Sequence, residues 1–100
     1  MVHFLVNYQS LQNRAVVAID QPERIMILDG DVDTIAGKLY KLGIDFDVAE
    51  IAVDVVGVGL VLNEVLANLN YPRLFKYLRY HQSNVDYRCL NERLETFNAA

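Results

Sequence analysis

The chain has 100 residues, 53% of them hydrophobic, with 9 basic and 13 acidic side chains and a net charge of −4; this is enough to bury one core and too few for two. The acidic balance argues against a dedicated polyanion binder, and the single cysteine, Cys89, excludes an intrachain disulfide and a zinc site built from thiolates. A reducing, cytoplasmic setting is the natural inference.

The apolar run from Val55 to Leu62 is broken by glycines and too short to cross a bilayer, so no membrane association is expected. No repeat, low-complexity tract or Pro/Gly/Ser linker divides the sequence. Residues 1–100 are therefore expected to form a single domain.

Val2 to Tyr8 sets Val2, Phe4, Val6 and Tyr8 against His3, Leu5 and Asn7, the period of two that marks a strand. Gln9 to Asn13 is polar and turn-like. Ala15 to Ile19 (AVVAI) and Arg24 to Asp29 (RIMILD) read as two further strands, and the intervening Asp20-Gln21-Pro22-Glu23 has the chemistry of a hairpin turn. The chain thus opens with an antiparallel meander. Asp31 suits a helix N-cap and Asp33 its first turn, while Val32, Ile35, Ala36, Leu39 and Leu42 recur at helical spacing up to Gly43, the expected stop.

Val48 to Val55 is almost continuously apolar, as a strand buried on both faces between parallel neighbours must be. A Gly57-Val58-Gly59 turn then leads into a helix over Leu60 to Leu69, with Leu62, Val65, Leu66 and Leu69 on its apolar face. Leu74 to Tyr80 (LFKYLRY) has the composition of an outer strand near a sheet edge. Ser83-Asn84-Val85-Asp86 reads as a capping box, and Tyr87, Leu90, Leu94 and Phe97 form the stripe of a third helix.

The resulting order, β-β-β-α-β-α-β-α, is α/β and matches the ribonuclease-H-like topology, a mixed sheet flanked by helices. Within that superfamily the chain resembles the nuclease domain of phage terminase large subunits, in three segments. Arg14-Ala15-Val16-Val17-Ala18-Ile19-Asp20 is similar to that family's second strand, and Asp31 to Gly43 (DVDTIAGKLYKLG) to its first helix. Ala49 to Phe75 resembles its acid-bearing strand, glycine turn, helix and tyrosine-proline approach to the last strand.

The resemblance implies a divalent-metal-dependent DNA endonuclease associated with viral DNA cleavage and packaging, using Mg²⁺ or Mn²⁺. Such chemistry gathers carboxylates so that two cations, about 4 Å apart, stabilise the attacking and leaving oxygens. Asp54 matches the family's second acid and is the expected catalytic residue and metal ligand. The first acid falls at Asn7, a neutral amide that binds Mg²⁺ weakly compared with a carboxylate. The third belongs to a further C-terminal segment beyond Ala100. The shortened, incomplete acidic site implies that cutting is reduced or lost.

Each of these residues also has an ordinary structural explanation. A solvated strand end accounts for Asp54 as well as a ligand role does, and Asn7 suits a hydrogen-bonding strand position. Asp29, Asp31 and Asp33 are explained by a capped helix start, since no glutamate closes a calcium loop. His3 and His81 have no Cys or Ser partner in a recognisable triad, and Gly57-Val58-Gly59 lacks the residues of a phosphate cradle. Arg73, Lys76 and Arg79, interleaved with Tyr71, Phe75, Tyr77 and Tyr80, are the candidate nucleic-acid contacts; one buried and one solvated face of an edge strand is the simpler account.

DNA, a partner protein or a second copy of the chain are the partners these readings admit. Two alternatives stand beside the nuclease one: a non-catalytic binding or assembly module, and a degenerate PIN-like nuclease domain, which Val2 to Gln9 also resembles. A helix over Leu11 to Ile19 favours the PIN-like reading, a strand the ribonuclease-H one, and the β-branched content of Ala15 to Ile19 predicts the strand.

Overall fold

The computed structural model describes residues 1–54, 59–68, 75–78 and 83–99. Within them the chain runs β1 (Val2–Gln9), a 3₁₀ turn (Ser10–Gln12), β2 (Arg14–Ile19), β3 (Arg24–Asp29), α1 (Val32–Asp45), β4 (Val48–Asp54), α2 (Gly59–Asn68), β5 (Phe75–Leu78) and α3 (Arg88–Ala99). This is a small α/β domain. Its sheet has the strand order β3-β2-β1-β4-β5. β1 pairs antiparallel with β2 and β2 with β3, whereas β1 with β4 and β4 with β5 are parallel. Among these strands only β2 runs against the rest.

The alternation in β1 becomes a division of the core. Phe4 and Val6 join Val17, Ile19, Ile51 and Val53 on the sheet face covered by α1 and α2, with Ile35, Leu39, Leu62 and Leu66 packed onto them. Leu5 points the other way and meets Val16, Ala18 and Ala52 beneath Tyr87, Leu90 and Leu94. Both faces of the central strands are therefore buried, which is why β2 and β4 are apolar nearly throughout. Each of these large side chains contributes roughly 1.5–3 kcal/mol of transfer free energy.

Asp31 caps α1 as expected, its Oδ1 accepting the Thr34 N–H at 2.8 Å. Gly43 does not end the helix; it is buried in the last turn and the helix continues to Asp45. The left-handed residue that releases the chain is Asp47, at φ 50°, a type that tolerates this conformation. Phe46, just past the helix, packs edge-on against Phe4 with ring centroids 5.8 Å apart. That contact carries the helix end down onto the sheet.

The start of α3 also differs from its expected form. The helix begins at Arg88, and Ser83 uses its hydroxyl elsewhere, accepting the Val85 N–H and donating to Glu50. The first-turn acceptor is Asp86, whose Oδ1 takes the Arg88 N–H at 3.0 Å. Tyr87 lies before the helix with its ring fully buried. β5 occupies one edge of the sheet, as its composition predicted. The Gly57-Val58 half of the glycine turn, Leu69, and the Asn70-Tyr71-Pro72 punctuation lie outside the described residues.

Candidate functional site

β1 and β4 are adjacent and parallel, so their carboxyl ends emerge together, the place where open α/β sheets bind ligands. The last paired rung is Val6 opposite Val53. Asn7 and Asp54 each stand one residue beyond it, on backbones separated by about 5 Å, the ordinary spacing of neighbouring strands. Alternation puts both on the face of Leu5 and Ala52, beneath α3. Asn7 and Asp54 are thus brought to the same end of neighbouring strands.

The donors to the Asn7 oxygen are amides. Its Oδ1 accepts a hydrogen bond from Gln9 Nε2 at 2.8 Å and another from Asn98 Nδ2, near the end of α3, at 3.3 Å. The same Gln9 nitrogen donates to Asn98 Oδ1 at 3.0 Å. Arg14, directly across β2 from Gln9, donates from Nε to Gln9 Oε1 at 2.6 Å. β1, β2 and the C-terminal turn of α3 are joined through these four side chains. The side chain that reaches Asn7 from the third helix is Asn98. Nothing in the sequence around Asn98 marks it, because the contact spans 91 residues.

Comparison with protein-family models, with characterised proteins and with solved structures finds no match.

The residues present do not fit a divalent cation at Asn7. Hard cations need oxygen donors, several of them anionic, and here N–H groups of Gln9 and Asn98 are aimed at the Asn7 oxygen. No group of three or more His, Cys, Asp or Glu side chains placed to hold a metal occurs among the described residues. Arg73 and Arg79 lie outside the described residues, and Lys76 is placed only as part of the β5 backbone.

A second polar cluster occupies the opposite end of the same sheet face. His3, opposite Glu50 in the β1–β4 register, holds Asp20 twice, through its backbone N–H to Oδ1 at 2.8 Å and between Nδ1 and Oδ2 at 2.7 Å. Glu50 is 7% exposed, and its Oε2 accepts the hydroxyls of Tyr87 at 2.6 Å and Ser83 at 2.9 Å. Burial, and then the hydrogen bond to Glu50, push the Tyr87 hydroxyl well above its ordinary pKa. A shallow groove of ≈ 260 Å³ opens beside His3, Glu50 and Ser83. The sequence shows no Cys or Ser partner for His3 in a triad and marks Ser83 as a cap. The available signal was a glutamate inside an otherwise apolar strand, since a buried carboxylate must be hydrogen-bonded.

Proposed function

We propose that this chain is a domain of ribonuclease-H-like topology, similar to terminase nuclease domains and associated with DNA, in which metal-dependent cutting is reduced or lost. The observation that carries the reading is the position of Asn7 beside Asp54 at the carboxyl ends of the two central parallel strands, in a sheet where β2 alone is reversed. The strand at Arg14–Ile19 further favours this topology over the PIN-like one, which a helix there would favour. Asp54 is the carboxylate on which any remaining cleavage depends.

The test is a paired measurement on the purified chain, nicking of supercoiled DNA in Mn²⁺ and fluorescence anisotropy with labelled duplex. The expected result is DNA binding that weakens with salt, with cutting near background and abolished by Asp54→Asn. Absence of both DNA binding and cutting would overturn it.

A non-catalytic assembly module is the second reading, supported by β3. It is the other edge strand of the sheet, and Ile27 at its middle is 44% exposed. An apolar edge of this kind is a pairing surface unless blocked by charge or proline. Sedimentation of the chain as a monomer at all concentrations would count against self-association through this edge.

A further inference from the structure

The lack of fit between this site and the metal its resemblance implies has a specific cause. We infer that the Gln9 carboxamide stands in for a cation, fastening β1 to α3 as a metal-independent lock. This rests on the functional reading above, which makes Asn7 the place of a lost acid.

Gln9 Nε2 lies between two side-chain oxygens from different elements, 2.8 Å from Asn7 Oδ1 and 3.0 Å from Asn98 Oδ1. Bridging two oxygens is what a bound cation does for carboxylates, and an amide nitrogen with two N–H donors does the same for two neutral carbonyl oxygens. The donor is itself oriented, because Arg14 Nε holds the Gln9 oxygen at 2.6 Å, which turns the NH₂ group toward the pair. Asn98 Nδ2 closes the ring onto Asn7. Three amides and one guanidinium thus hydrogen-bond one another where carboxylates would repel unless a cation joined them. Cutting is lost on this account through occupation of the site as well as through loss of acids.

The experiment compares Mn²⁺ binding, by isothermal titration and water-proton relaxation, in the natural chain, in Asn7→Asp/Asn98→Asp, and in that pair with Gln9→Ala added; circular dichroism monitors folding, and Asn7→Asp with and without Gln9→Ala repeats the comparison more conservatively. The natural chain should show no saturable binding. The acid pair should bind, and removing the Gln9 side chain should tighten binding at least about tenfold, the equivalent of 1.4 kcal/mol. Equal or weaker binding after Gln9→Ala, or no binding by the acid variants, overturns the lock. These readouts involve no DNA. Failure of the lock is therefore separable from failure of the DNA-associated reading.

Discussion

The Tyr87 hydroxyl donates to Glu50 Oε2 at 2.6 Å, tying the residue that precedes α3 to the middle of β4. Glu50 is nearly enclosed, so this bond and the one from Ser83 offset the cost of bringing a carboxylate into the sheet. Tyr87 is also edge-on to His3, with ring centroids 6.4 Å apart. The position of α3 over the sheet therefore depends on polar contacts at both of its ends, Tyr87 at the start and Asn98 at the finish.

Tyr87→Phe keeps the ring and removes one donor from a buried carboxylate. It should lower stability by about 2 kcal/mol, whereas Ser83→Ala, at the half-buried partner, should cost less. Urea unfolding of the two variants checks the order.

Gly30 and Gly37 should respond to alanine with opposite signs. Gly30 has φ +133°, and an added Cβ would stand 2.7 Å from Thr34 Cγ2, so Gly30→Ala should cost about 2 kcal/mol in backbone strain. Gly37 is inside α1 with nothing within 4 Å of a built Cβ. Gly37→Ala should raise stability by up to ~1 kcal/mol through helix propensity. Thermal unfolding of both variants tests this.

Hydrogen bonds from Arg88, first from its side chain and then from its backbone N–H, hold the Asp86 carboxyl down to about 2. A carboxyl held below its ordinary 3.8 contributes its stabilisation above that value and loses it as pH falls through about 2. A ¹³C NMR titration should place the midpoint near 2 in the natural chain. In Arg88→Gln the midpoint should move up toward the ordinary carboxylate range.

Burial should separate two isoleucines of similar sequence context. Ile51 is fully buried at the centre of β4, and Ile51→Ala should cost about 3–4 kcal/mol. Ile27, 44% exposed on the β3 edge, should cost no more than ~1 kcal/mol on the same change. Denaturant midpoints at equal slope would measure the difference.

Local signals made most of the fold legible. The period-two alternation of Val2 to Tyr8 correctly divided β1 between two faces, and the apolar run from Val48 correctly implied parallel neighbours. Asp31 identified its own helix start because capping is a contact over three residues. Gly43 misled because a glycine can also serve a buried helix position, and Asp47 supplied the left-handed turn instead. The Ser83 cap failed for a different reason: the helix begins only at Arg88, where Asp86 is the acceptor, while Ser83 accepts the Val85 N–H and donates to Glu50, 33 residues away.

By itself the sequence determined the element order and the two apolar faces, since these depend on residue type and short-range spacing. Only the tertiary structure decided that Asn98 meets Asn7, that His3 holds Asp20 and that Tyr87 holds Glu50. Those contacts span 17 to 91 residues. They exist because strand pairing and the packing of α3 bring together side chains that carry no local mark of their partners.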